Sequence, residues 1–192
     1  MDAVLPGFVD QLLTQSQDPS HIPDITVLAA TGWLAPLASR ILPLLDTGTY
    51  RSARSFLAHG YAYVRLQADG DDATVYLRIS DTRALTPWRV HAPSTVLNVA
   101  GATALESYAS REDARVGRPQ YARTFGAGEF FTVHPDTLCS TRATLSTVQV
   151  LATTEPVAER EGPLSGEAYA MYARRARRYL EQASLARVGR SC

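Results

Sequence analysis

The sequence predicts a mainly β fold with flanking helices, built as a single sandwich or barrel. Three observations predict it. Between residues 49 and 156 the hydrophobic period is two. Turn-forming stretches cut that region into about eight short strands, the spacing of an all-β domain. The segments on either side, 1–48 and 157–192, carry apolar residues at helical spacing instead.

In the lead-in, Phe8, Leu12 and Leu13 fall on one helical face, and the stretch SQDPS at 16–20 ends that helix. Asp24 is an N-cap for a second helix that carries Val27, Leu28, Leu34, Leu37, Ile41 and Leu44. Gly32, Pro36 and Pro43 interrupt it. The segment 61–67 (YAYVRLQ) then alternates, with Ala62, Val64 and Leu66 on one face and Tyr61, Tyr63, Arg65 and Gln67 on the other. After the turn ADGDD, residues 74–79 (TVYLRI) alternate again, so the pair reads as a hairpin. Further strands are expected at 88–91, 95–99, 103–108, 121–125, 129–134 and 144–152. The final segment, 162–186, repeats Tyr172, Ala176, Tyr179, Ala183 and Ala186 at helical spacing, a face able to pack on the β domain.

Composition narrows the function classes. The chain has 192 residues, 45% apolar, with 19 basic and 19 acidic side chains and a formal net charge of zero. That balance argues against a general nucleic-acid or membrane-surface binder. No apolar run approaches the roughly 20 residues of a spanning helix. The acidic start MDAVLPGFVD is unlike a signal peptide, and two cysteines make no disulfide framework, so a cytoplasmic location is expected. The Arg174, Arg175, Arg177, Arg178 run fits a solvated helix face, because nothing elsewhere adds aromatic platforms or zinc spacing. All basic residues are Arg and none is Lys. A GC-rich genome accounts for that; a toxin that evades ubiquitin tagging is the alternative.

Two segments carry a more specific signal, 86–101 (TPWRVHAPSTVLNVAG) and 126–143 (GAGEFFTVHPDTLCSTRA). Together they resemble the two motif regions of the cupin superfamily. The layout, with its helical lead-in and the Tyr/Arg segment at 50–57 (YRSARSFL), is similar to thiol dioxygenases of the cysteine dioxygenase type. The resemblance implies a cupin-like jelly-roll barrel over 49–156. It also implies an iron site with two His ligands two apart on one strand, plus a third further on.

Here that triad is degenerate. Arg89 stands at the first ligand position, His91 is kept at the second, and Cys139 falls where the third His belongs. Arginine stays protonated and offers no lone pair to a metal. At about 4 Å and an effective dielectric of about 20, two unit charges repel by roughly 4 kcal/mol, and a dication doubles that. The expectation is therefore no cofactor; if one divalent metal, Fe or Zn, is held, His91, His134 and Cys139 are the candidate ligands. Without a metal, Arg89 and His91 are expected to project into the barrel, Arg89 facing an anion and His91 acting as general acid or base. The alternative is that Arg89 plugs the barrel by pairing with Glu106 or Glu129. Cys139 beside them is a candidate nucleophile or a small core residue. The resemblance places Arg54 as a substrate-carboxylate binder. Tyr63, Arg65, Tyr76 and Arg78 join the pocket if the polar faces of the hairpin point inward, and Tyr108 is a further pocket hydroxyl.

The sequence thus points to a cupin-type enzyme acting on a small, anionic molecule by Arg/His acid–base chemistry: isomerisation, cyclisation or decarboxylation. The alternatives are an oxygenase of the thiol dioxygenase kind with altered ligands, and a non-catalytic small-molecule-binding cupin. The partners expected are a small-molecule ligand and a second copy in a homodimer, with no nucleic acid and no membrane.

Overall fold

The computed structural model describes residues 34–45, 55–66, 74–81, 88–89, 91, 94–153, 157 and 162–185. Helix α1 spans Leu34–Leu45. The strands are β1 (Phe56–Ala58), β2 (Tyr61–Arg65), β3 (Thr74–Ser80), β4 (Trp88–Arg89), β5 (Ser94–Ala100) and β6 (Thr103–Tyr108). A short helix α2 (Arg111–Arg115) precedes β7 (Tyr121–Phe125), β8 (Phe130–Val133), β9 (Leu138–Ala143), β10 (Val148–Thr153) and β11 (Gly162–Pro163). Helix α3 (Gly166–Leu185) closes the described chain.

The strands form two antiparallel sheets. The larger runs β11-β1-β2-β3-β10-β5-β8 and the smaller β4-β9-β6-β7. Strands β3 to β10 are divided between them, β3, β10, β5 and β8 in one and β4, β9, β6 and β7 in the other. That order is a jelly roll, the double Greek key that cupins share. The expected cupin-like architecture with flanking helices is therefore present, with β1, β2 and β11 extending the larger sheet.

Alternation along the strands divides the apolar residues into two cores. Val64, Leu77, Leu97 and Val150 face outward from the larger sheet and pack with Ile41 of α1 and Ala176 and Leu180 of α3. Phe56, Tyr63, Tyr76, Leu105, Phe131 and Cys139 fill the space between the sheets. Both faces of the larger sheet are thus dry. The hairpin strands β2 and β3 accordingly bury polar-face and apolar-face residues alike.

The β1–β2 connection is His59-Gly60, with both residues at positive φ (50° and 71°), the two-residue turn whose twist suits a hairpin. Gly101 lies at φ +76° between β5 and β6, where a Cβ would come within 2.7 Å of the Thr147 Cα, so only glycine fits. A bulge lies between β10 and β5: Val148 pairs with Ala100 but Gln149 with Asn98, leaving Val99 as the extra residue.

Several expectations need correction. The stretch 144–152 is not one strand; residues 144–147 form a turn closed by Thr147 N donating to the Thr144 carbonyl (2.9 Å), and β10 starts after it. LCSTRA at 138–143, absent from the expected strands, is a full strand, and the Arg/Asp-rich stretch after Ser110 is helical. Ser110 caps α2 by accepting from Asp113 N, a signal in the sequence that outweighs the turn composition. The expected helix at 8–16 and the ADGDD turn lie outside the described residues.

Candidate functional site

The register of the larger sheet lines up one row of side chains across its inner face. Phe56 lies opposite Tyr63, Tyr63 opposite Arg78, Arg78 opposite Gln149, and Gln149 opposite Asn98. Residues directly opposite on antiparallel strands are side-chain neighbours, with Cα atoms about 5 Å apart. The row puts a cation and two amides where a β interior is ordinarily apolar.

Arg78 is its centre. It is 2% exposed. Its guanidinium carbon sits 4.0 Å from the centroid of the Tyr61 ring and 5.4 Å from that of Tyr63. No carboxylate among the described residues pairs with it. Its Nε and Nη2 atoms are buried without a hydrogen-bond partner among the described residues. A desolvated cation–π contact returns about 2 kcal/mol, whereas burying an ion costs several. The balance leaves a cation in need of an anion.

Aromatic rings wall this group. Tyr63 stacks on Phe56 at 5.0 Å, and Tyr76 meets both edge-on at 5.7 Å. Tyr61 reaches the opposite sheet, its hydroxyl donating to Thr141 Oγ1 at 3.4 Å. Burial raises the Tyr63 phenol above its ordinary pKa, against the pull of Arg78, so it stays protonated.

On the other side of Arg78 the amides form a directed network. Asn98 Nδ2 donates to the Phe125 carbonyl at 2.9 Å, which fixes Asn98 Oδ1 as an acceptor. Thr103 Oγ1 and Gln149 Nε2 both donate to that oxygen, at 3.0 and 2.8 Å, and Gln149 Nε2 also meets Thr103 Oγ1 at 2.8 Å. Gln149 Oε1 is left buried without a partner among the described residues.

Cys139 of β9 is fully buried in the same interior. Burial pushes its thiol up to about 12, and the nearby Arg78 charge only partly opposes this. The group is a neutral thiol, not the thiolate expected of a nucleophile or metal ligand.

Of the expected Arg/His pair, the side chain of Arg89 lies outside the described residues. His91 is exposed to solvent, beyond the end of the two-residue strand β4. The register sets Trp88, not Arg89, opposite Cys139, and sets Arg89 opposite Leu138, which itself lies opposite Tyr108. Tyr108 is not a pocket hydroxyl either. It donates to Glu106 Oε2 at 2.5 Å on the other face of the smaller sheet, where Glu106 also meets Arg142 at 3.1 Å. Glu129, the other acid expected to hold Arg89, meets Arg123 at 3.3 Å.

The metal candidates do not fit a metal site. His134 is half-buried in a turn, its carbonyl accepting from Thr137 N. No three His, Cys, Asp or Glu side chains converge among the described residues. His91 is exposed, His134 half-buried and Cys139 fully buried, and the three are not gathered into one cluster.

The hairpin expectation fares differently. Tyr63, Tyr76 and Arg78 do point inward. Arg65, half-buried, lies opposite Tyr76 in the next row of that face. Arg54 lies outside the described residues. Sequence reasoning missed Asn98, Gln149 and Thr103. The available signal was a lone amide inside each of two otherwise apolar strands, STVLNVA and VQVLAT.

Fold and interior together define a jelly-roll β domain with an arginine-centred polar row. No protein-family model matches the sequence, and no curated protein matches it. Among solved structures, a variant of Streptomyces PAC13 with uridine is similar at 17% identity and a TM-score of 0.42, over 60% of this chain and 90% of that one. Lactobacillus farciminis oxalate decarboxylase, in a formate complex, is similar at 12% identity and a TM-score of 0.43, over 56% of this chain and 32% of that one. A mutant of the Bacillus subtilis oxalate decarboxylase is similar at 11% identity and a TM-score of 0.42, over 55% of this chain and 28% of that one. The chain thus spans most of PAC13 but about a third or less of either decarboxylase. No described helix is long and apolar enough to cross a membrane.

Proposed function

We propose that the protein takes a small anionic molecule between its two sheets and that Arg78 receives the negative charge. The observation that carries this reading is the buried guanidinium with two N–H-bearing nitrogens unmatched among the described residues. A carboxylate or phosphate oxygen supplies the missing acceptors, and charge-assisted bonds of that kind are about twice as strong as neutral ones. The rings of Tyr61, Tyr63 and Tyr76 exclude water from the contact and strengthen it.

A second reading, an isomerase, cyclase or lyase working by proton transfer, is favoured by those same phenols. Tyr63 holds its proton at neutral pH, so it serves as a donor to a developing oxyanion and not as a base. The exposed His91 has no part in this version.

The test is a thermal-shift and calorimetric titration of the full chain against small carboxylates, phosphate and sulfate. At a hundredfold excess over Kd, a bound anion stabilises the fold by about 2.7 kcal/mol. That stabilisation is expected in the native protein and absent in Arg78→Met. Equal stabilisation of both proteins would place the anion elsewhere.

A further inference from the structure

The unmatched acceptor on Gln149 narrows the ligand class. We infer that the anion received by Arg78 carries a hydroxyl or N–H donor beside its charged group, and that Gln149 Oε1 accepts it. This rests on the anion reading above.

The orientation of Gln149 is not arbitrary. A backbone carbonyl cannot donate, so Phe125 O obliges Asn98 to present its NH2 there, at 2.9 Å. Asn98 Oδ1 then needs donors, and Gln149 must turn its own NH2 toward it, at 2.8 Å. A flip of Gln149 would set two acceptor oxygens face to face. The carbonyl oxygen is therefore driven to the side away from Asn98, and it stays without a donor among the described residues. Arg78 is the next residue in the same row.

The row thus shows donors on one strand and an acceptor on the next. A plain carboxylate satisfies the donors and leaves Gln149 Oε1 orphaned. A 2-hydroxy acid satisfies both, because its hydroxyl is attached to the carbon next to the carboxylate. Leaving a buried acceptor unmatched is penalised more than making the bond is rewarded, so the pair discriminates sharply.

Two matched pairs of probes test this on the full native chain: lactate against propionate, and mandelate against phenylacetate. Each pair differs by one hydroxyl. Isothermal titration is expected to give the hydroxy acid about tenfold tighter binding in at least one pair. Equal affinities within both pairs would overturn the role of Gln149 and leave the anion reading standing. No binding by any of the four acids, alongside no binding of phosphate or sulfate, would overturn both. A crystal structure of the free protein with Arg78 donating to Gln149 Oε1 would also overturn the inference, since the acceptor would already be matched. Because the comparison uses native protein, it does not depend on any substitution in the buried network folding.

Discussion

The guanidinium carbon of Arg78 lies 4.0 Å from the centre of the Tyr61 ring, and no carboxylate among the described residues meets it. A cation held by an aromatic face inside a β domain is destabilised relative to an apolar side chain of the same length. Replacing it separates function from stability. Arg78→Met is expected to leave the melting temperature unchanged or raise it by a few degrees, while anion-dependent stabilisation disappears. Calorimetric melts with and without phosphate check both parts. A large drop in melting temperature without anion would make Arg78 a structural plug.

Cys139 gives a chemical readout of the interior. At pH 8 a free thiol near pKa 8.5 is about one-quarter thiolate, whereas one at about 12 is about 0.01% ionised. In a Cys192→Ser background, alkylation of Cys139 by iodoacetamide is expected to be about a thousandfold slower in the native protein than in denaturant. Mass spectrometry of timed aliquots measures it.

The same thiol sets a pH dependence. Its folded pKa is raised, so the unfolded chain loses the proton first as pH rises. Stability is full below about pH 8.5 and declines toward pH 12, by up to about 1.4 kcal/mol per pH unit from this group. The buried Tyr63 and the Tyr172 phenol, raised to about 12, act in the same direction at higher pH. Urea melts from pH 8 to 11 are expected to show a shallower decline in Cys139→Ala than in the native protein.

On the outer face of the smaller sheet, the Tyr108 hydrogen bond holds the Glu106 carboxyl below its ordinary range, with Arg142 adding to the effect. A lowered carboxyl stabilises the fold above its unfolded pKa and loses that contribution as pH falls through the folded value. Tyr108→Phe is expected to cost about 1 kcal/mol at pH 7. The gap to native protein should narrow below about pH 4. Anion affinity is expected to be unchanged, which distinguishes this position from a pocket residue.

How much of this the sequence revealed depended on what each residue could signal locally. The β2–β3 hairpin, β6 and β7 were legible because alternation and glycine turns are local properties. Which face of the hairpin is interior was not legible, because Ala62 and Val64 also find a dry partner, in helices that include one about a hundred residues later. The apolar face packs outside and the polar face inside, so hydrophobicity alone favours the wrong choice. Arg89 and His91 were read through a family pattern that assumes a long strand; among the described residues, Trp88 and Arg89 are in register with β9 and His91 is exposed. Asn98 and Gln149 gave only a faint signal, since their bonds cross 51 residues.

Helix α3 reaches back to the end of β3: Tyr172 donates to the Asp81 carboxylate and Arg175 to the Ser80 carbonyl. The strand that carries Arg78 is therefore tied off by residues nearly a hundred positions later. A shortened version ending before Gly166 would strip the cover from Val64, Leu77 and Val150 and turn a covered wall into a sticky one. Anyone cutting the β domain out for crystallography or fusion should expect clumping rather than a smaller working protein, and should keep the tail.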